Sequence, residues 1–318
     1  MACEFEVYLN AGQHPAAAAG ALAALDLVDA LEAQLTVYRE TSEVMDINRR
    51  AAVEPVAVEP RLFQLLQLCL RLNAETGGAF DITSGPLTKV WGFYRRQGAV
   101  PTAEAIEQAR QNVGGEKIEL DETRRTVRFT RPGVEINLGS IGKGYALDRC
   151  AERLAEQDVE SFLLHGGQSS VLGRGSRRET LEAGHETSNK GAAGWKVGVI
   201  HPLRPDDRLA EILLRNRALG TSGAGSQFFR HAGKRYGHIL DPRTGWPAEG
   251  VYSSTVVAST AAEADALATA FFVLGPVKAI EYCQTHPRVA FLMVDARGRS
   301  REVTTAGLDD SVLRILSR

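Results

Sequence analysis

This chain has few of the features that would place it quickly. Its 318 residues include only four cysteines, Cys3, Cys69, Cys150 and Cys283, spread along the sequence with no Cys-x-x-Cys pair. That excludes a disulfide framework or a cysteine zinc site and leaves buried thiols. Net charge is −2, and the densest basic cluster is Arg174, Arg177 and Arg178, so no basic face for a nucleic acid is expected. No run of 18 or more residues is wholly apolar and no charged start precedes a hydrophobic segment, so neither a membrane span nor a targeting segment is expected in this chain. What the chain does have is 44% hydrophobic and 24% charged residues, enough for one large domain or two interlocked ones.

Strand and helix signals alternate along the chain. Residues 1–9 alternate as a strand; 16–36 and 60–75 read as helices, the second with Leu62, Leu65, Leu66 and Cys69 at helical spacing; a further strand is expected at 289–294. This mixture predicts an α+β or α/β fold without fixing strand order. Residues 173–194 are rich in Arg, Glu, Ser, Asn and Gly with almost no apolar side chain, which predicts a mobile surface insert.

Three segments carry chemistry. The first runs from Thr260 to Leu274. Thr260 and Glu263 have capping-box spacing, and Leu267, Ala270, Phe271 and Leu274 form the stripe of a core helix. Asp265 and Thr269 lie one turn apart on the other face, beside Ala262, Ala268 and Phe272, which makes that face apolar too. A carboxylate there wants a cation, and a hard ion such as Mg²⁺ takes oxygen ligands of this kind. The same pair has an ordinary reading, in which Asp265 favours the positive helix end and Thr269 bonds a carbonyl one turn back.

The second segment is Val134–Asp148, read as a strand ending in a Gly-rich turn that feeds a helix with Leu147, Cys150, Ala151 and Leu154 inward. A helix start opened by glycines offers free N–H groups to an anion, and Lys143 adds a full charge. The Walker A and Gly-x-Gly-x-x-Gly spacings are both absent, and a plain tight turn with an exposed lysine fits as well. The third segment, Tyr236–Pro247, sets His238, Asp241, Arg243 and Thr244 among two prolines and a glycine. Such a rigid loop suits function, with His238 as the proton-transfer candidate. A structural turn capped by Asp241 is the competing expectation.

Together these segments resemble the ApbE family, the FAD:protein FMN transferases. The resemblance spans nearly the whole chain. It also rests on Tyr38-Arg-Glu-Thr-Ser-Glu-Val with Asn48, Ala79-Phe-Asp-Ile-Thr-Ser-Gly-Pro-Leu87, Gly166-Gly167, Trp195-Lys-Val-Gly198, Thr221-Ser-Gly223 and Ala264-Asp-Ala-Leu-Ala-Thr-Ala270. The resemblance implies an α+β fold over 1–318 with a T-fold-like core and a smaller α/β subdomain, with flavin bound in the crevice between them. It implies Mg²⁺-dependent transfer of the FMN moiety of FAD to a threonine of a partner protein, with release of AMP. Flavin contacts would fall on Met1, Tyr38, Ala79, Phe80, Asp81, Asn137, Lys143 and Ile239, and metal ligands on Ser140, Asp265 and Thr269. A metal-dependent FAD pyrophosphatase and a non-catalytic FAD-binding protein are the alternatives. Asn137 stands where the family usually has Asp, and Gln168 where Asp or Asn is common. The chain as written carries no export signal and so reads as cytoplasmic, whereas the resemblance implies work in the periplasm or at the inner membrane.

Overall fold

The helix predicted from Thr260 organises the molecule. The Thr260 hydroxyl accepts the Glu263 N–H at 3.2 Å, closing the first turn as the capping box requires. In the computed structural model, residues 3–177, 194–225, 227–297 and 300–317 are described. In chain order the elements are β1 (Phe5–Leu9), α1 (Ala17–Leu35), α2 (Glu43–Arg50), β2 (Val56–Ala57), α3 (Pro60–Glu75), α4 (Gly85–Val90), α5 (Ala103–Arg110), β3 (Ile118–Asp121) and β4 (Thr126–Phe129). Next come α6 (Gly142–Ala155), β5 (Phe162–Gly166), β6 (Ser170–Arg174), β7 (Trp195–His201), β8 (Arg204–Leu214), β9 (Arg217–Gly223), β10 (Phe228–His231) and β11 (Lys234–Gly237). The chain ends with β12 (Val251–Ala258), α7 (Ala261–Thr285), β13 (Ala290–Arg297), β14 (Ser300–Ala306) and β15 (Leu313–Ile315).

Seven strands form one sheet in the order β1-β5-β6-β9-β12-β13-β14, and every pairing in it is antiparallel. Alternation along its strands separates two layers. Phe162, Leu164, Leu172, Ala218 and Ala258 face α1, α6 and α7, whereas Leu163, Val171, Leu219 and Val257 face the three-stranded sheet β15-β8-β7. On its far side, α7 packs against the N-terminal part of the chain, where α2, α3 and the small sheet β2-β4-β3 share one core with Leu267, Phe271 and Phe272. Strands that pair only antiparallel, with the helices layered to one side, make this an α+β fold.

Enclosed from both sides, α7 has nothing to gain from a polar stripe, and residues 261–272 are buried apart from the half-buried Glu263 and Thr269. It runs past the expected end at Leu274 to Thr285, with one break where Gly275 takes φ 75° just before Pro276. By length and composition alone it is apolar enough to cross a membrane, and half of its most apolar window is buried inside the fold, as in a core helix.

Two further expectations change. Residues 134–138 join no sheet, because their hydrogen bonds go elsewhere: the Asn48 Oδ1 accepts the Ile136 N–H at 2.7 Å, its Nδ2 donates to the Ile136 carbonyl at 3.0 Å, and the Asn137 N–H donates to the Ile82 carbonyl at 2.7 Å. Gly173 and Arg174, expected to open the surface insert, belong to β6; residues 178–193 of that insert lie outside the described residues.

Candidate functional site

Asp265 sits in the second turn of α7 and is 7% exposed. Its carboxylate is held from two sides: the Ser170 hydroxyl lies 2.7 and 2.8 Å from its two oxygens, and the Gly144 N–H in the first turn of α6 donates to Oδ2 at 2.8 Å. Burial pushes the Asp265 pKa up to about 6, against the opposing pull of the Lys143 charge and the two hydrogen bonds. Among the described residues no lysine or arginine comes within ion-pair distance of it. A buried carboxylate bonded only to neutral donors is short of positive charge.

This arrangement needs glycine. A Cβ on Gly144 would lie 2.0 Å from the Ala261 carbonyl oxygen, and one on Gly220 of β9 would lie 2.5 Å from the Ala264 carbonyl carbon. Helix α7 is therefore pressed backbone to backbone against α6 on one side and β9 on the other. Asp148, at the end of the quoted Gly-rich motif, completes the junction. Its two oxygens accept the Ala261 and Ala262 N–H groups, both at 2.8 Å, and burial raises its pKa to about 7.

Thr269 lies one turn on from Asp265. Its hydroxyl is 3.0 Å from the Ser222 hydroxyl of β9 and 3.3 Å from the Asp265 carbonyl. The back-bond of the ordinary reading is thus present, together with a second polar partner that reading lacked. Ser140, in the turn before α6, is half-buried, and its hydroxyl makes no hydrogen bond among the described residues. One carboxylate and two hydroxyls are oxygen donors of the kind a hard divalent cation takes, and among the described residues the carboxylate has no cationic side chain within ion-pair distance. No cluster of three His, Cys, Asp or Glu side chains suited to a metal occurs among the described residues. Any such ion would rely on one carboxylate and on ligands from a substrate.

Lys143 lies in the first turn of α6, and its charge is felt at Asp265 and at His238 alike. The expected anion-binding helix start is therefore only partly free, since the Gly144 N–H is already taken by Asp265. His238 follows β11 directly. Its Nδ1 is 3.0 Å from the Gln227 carbonyl, and its ring meets Phe93 edge-on at 6.5 Å. A carbonyl can only accept, which assigns the proton to Nδ1 and leaves the Nε2 lone pair unprotonated. Burial lowers the His238 pKa below its ordinary value, and the Lys143 charge adds to this, so the ring is neutral near pH 7. Asp241 takes the structural role that competed for this loop: it accepts the Arg243 backbone N–H at 2.9 Å and holds the Arg243 guanidinium through two bonds of 2.8 Å.

The remaining expected contacts are spread around this centre. Tyr38 is 69% exposed and stacks on Tyr94 at 5.1 Å, next in sequence to Phe93. Asn137 spends its side-chain oxygen on the Gly139 N–H at 2.9 Å and keeps its amide donors. Ile239 is nearly buried, and its carbonyl accepts the Ala248 N–H at 2.9 Å. Ala79 and Phe80 are each 1% exposed, so the Phe80 ring is a core side chain and offers no surface to a ligand. Asp81 is buried, with its pKa raised by burial and its Oδ1 bonded to the Thr83 N–H at 2.7 Å, and it lines a cavity of about 390 Å³ with Asn73, Gly78, Arg110, Glu116 and Arg243. Asp265 does not line that cavity, so the Asp265 carboxylate and the polar hollow beside Asp81 are separate places on the molecule. Met1 lies outside the described residues.

The ApbE family profile matches residues 1–293. The chain belongs to the ApbE family. It is 30% identical to the FAD:protein FMN transferase of Haemophilus influenzae over 273 residues, covering 83% of this chain and 75% of that protein. With the protein of the same name from Treponema pallidum it shares 31% identity over 302 residues, 90% of this chain and 79% of the other. The ApbE protein of Thermotoga maritima superposes with a TM-score of 0.79 at 32% identity, over 93% of this chain and 91% of that one. The flavin transferase ApbE of Vibrio cholerae gives 0.81 at 26% identity, over 96% and 94%. The α+β architecture is that of ApbE flavin transferases, and the chain is a transferase by this membership.

Of the residues that matter locally, Ser170, Gly144 and Asp148 were not singled out from the sequence. Gly144 carried a usable signal, a glycine inside a helical pattern, which marks a close backbone approach. Ser170 carried none, because a serine in a strand says nothing of a partner 95 residues away.

Proposed function

We propose that this chain transfers the FMN moiety of FAD to a threonine hydroxyl of a partner protein and releases AMP, acting in the periplasm or at the inner membrane of a bacterium. The observation that carries this reading is the buried Asp265 carboxylate, held by the Ser170 hydroxyl and the Gly144 N–H at the Gly-rich start of α6, in the turn that also carries Lys143. The threonine hydroxyl would give its proton to His238 Nε2 as its oxygen forms the new bond to the FMN phosphorus. The diphosphate P–O bond breaks, and AMP leaves with the electron pair. Bound Mg²⁺, held by Asp265, Thr269 and Ser140, would supply charge neutralisation on the diphosphate. The Lys143 ammonium and backbone N–H would bind the phosphate oxygens, since the N–H groups of Gly142, Gly144 and Tyr145 already have acceptors within the protein. Tyr38, Asn137, Ile239 and Asp81 are the proposed flavin contacts, while the buried Ala79 and Phe80 would shape that side of the site from within the core, and the Met1 assignment rests on resemblance alone. Catalysis of this kind is mainly positioning, which suits a site fixed by backbone-to-backbone packing.

Incubation with FAD, Mg²⁺ and a threonine-bearing acceptor peptide tests the proposal. A peptide heavier by one FMN phosphoester and fluorescent as a flavin is expected. Free FMN and AMP with unmodified peptide would mean a pyrophosphatase, and unchanged FAD a binding protein.

A further inference from the structure

The hairpin β10–β11 sets two like charges against each other with nothing to balance them. Its register puts Phe229 opposite Tyr236 and Arg230 opposite Arg235. Phe229 and Tyr236 stack at 5.3 Å and lie against Trp91, which makes theirs the inner face. Strand alternation then gathers Phe228, Arg230 and Arg235 on the outer face, where all three are exposed. Like charges directly opposed across a strand pair are destabilising. Lys234 of the same hairpin has an acid, Glu249 at 2.8 Å, whereas among the described residues no carboxylate comes within ion-pair distance of Arg230 or Arg235. The Arg235 guanidinium is nonetheless held in place: its central carbon lies 3.9 Å from the Phe228 ring centroid, and one N–H donates to the Ala224 carbonyl. A guanidinium has several further N–H donors, and on Arg235 these stay available.

This face adjoins the candidate site at both ends. Strand β11 stops at Gly237, and the next residue is His238. Ala224, gripped by Arg235, lies two residues after Ser222, whose hydroxyl meets that of Thr269 at 3.0 Å. We propose that the outer face of β10–β11 is the docking surface for the acceptor protein, and that Arg230 and Arg235 take the carboxylates of an acidic stretch flanking its threonine. The inference rests on the proposed function, in which the threonine hydroxyl reaches His238, and it names what that acceptor must carry. An exposed strand face suits an extended segment of a protein, whereas a small ligand such as FAD takes a concave site that buries most of its surface. Arginine and aromatic side chains are also the groups enriched where proteins meet. Arg235 precedes His238 by three residues, about 10 Å along an extended chain at ~3.3 Å per residue. An acceptor lying along the hairpin therefore carries its acid roughly three or four residues from the threonine.

The test reads binding and needs no turnover. Two dye-labelled peptides are compared, identical except that one has glutamate and the other glutamine at the positions three and four residues to either side of a single threonine. Fluorescence anisotropy follows each with the full chain, saturating FAD and EDTA. The wild type is expected to bind the glutamate peptide about 3–10-fold more tightly, as one or two exposed ion pairs allow, and added salt should shrink the preference. Arg230→Gln is expected to lose much of that preference while keeping its affinity for the glutamine peptide. Its thermal midpoint should be unchanged or higher, because a like-charge opposition is removed. Arg235→Gln is expected to lose the preference too, and if it does not fold, Arg230→Gln decides alone. Equal affinity of the wild type for the two peptides, or a preference that survives the substitutions, overturns the inference. So does weaker FAD binding in Arg230→Gln, which would put this face in the cofactor site. With Mg²⁺ in place of EDTA, a glutamate peptide bound with the expected preference yet never flavinylated would remove the transfer reading and leave the hairpin as a binder of acidic segments.

Discussion

At the scale of single residues, the way Asp265 is held decides how it should be tested. Removing the whole side chain in Asp265→Ala would strand the Ser170 hydroxyl and the Gly144 N–H inside the protein, at about 1–3 kcal/mol for each buried group left unpaired. Asp265→Asn is the cleaner change, because its oxygen still accepts from Gly144 and its amide can donate to Ser170. It should keep the thermal midpoint within a few degrees and lose at least about 10²-fold in Mg²⁺-dependent flavin transfer, since an amide cannot replace the charge. An active Asn variant with unchanged Mg²⁺ dependence would remove Asp265 from the chemistry. His238 makes a separate prediction through pH. Its pKa is held below the ordinary imidazole value by burial, so the neutral base persists as pH falls, and the acid limb of the rate profile should lie below pH 6.5. His238→Gln should lose about 10²–10⁴-fold in transfer rate and lose that limb, with FAD affinity little changed. Near-wild-type rates in the Gln variant would leave His238 as a shaper of its loop.

At the scale of elements, the junction of α6 with α7 carries the site. Gly144→Ala puts a methyl group 2.0 Å from the Ala261 oxygen, where backbone and not a flexible side chain must yield. The expected cost is about 1–3 kcal/mol or more, read as a lowered thermal midpoint, with metal binding weakened because the Gly144 N–H moves away from Asp265. An unshifted midpoint would show that the two helices can part without penalty. Asp148 makes the junction sensitive to pH. Its folded pKa of about 7 exceeds the unfolded value of 3.8, so between them the folded state binds the extra proton, and this group's contribution to stability falls as pH rises through that window. Wild type should therefore lose thermal stability relative to Asp148→Asn as pH is raised from about 4 to 7. The opposite slope would mean that the helix start stabilises the ionised cap. Much at this scale was legible beforehand. Helix α3 occupies the 60–75 read from its leucines, and the Thr260–Glu263 cap starts α7 where expected. The stretch 134–138 was misread as a strand because an asparagine 88 residues earlier supplies the hydrogen bonds a strand would have supplied.

At the scale of the whole molecule, the candidate site was half legible. The sequence shows that Asp265 and Thr269 share a helix face, since helical periodicity is local. It cannot show that Ser170, Gly144 and Ser222 converge on them, because that depends on which strands become neighbours. One prediction follows for the assembled protein. Tyr38, Asn137 and Ile239 belong to three different regions of the chain and none needs a metal, so FAD should bind in EDTA with a perturbed flavin absorbance or fluorescence. No spectral change up to millimolar FAD would count against the flavin contacts as a set.

The partners of Asp265 also set an order in time. Gly144 lies 121 residues before it and Ser170 95 residues before it, and β12, which leads into α7, must enter the sheet between β9 and β13. Pairings of such long range are slow to form, because the loop between their ends has to be closed first. On the proposed function, a chain emerging from the ribosome, or refolding from denaturant, would complete α1 and α3 before it could hold a cation, and cation binding would come only with the last strands of the sheet. Until then the Asp265 carboxylate is an ordinary solvated acid, and partly folded protein should neither sequester divalent ions nor consume flavin.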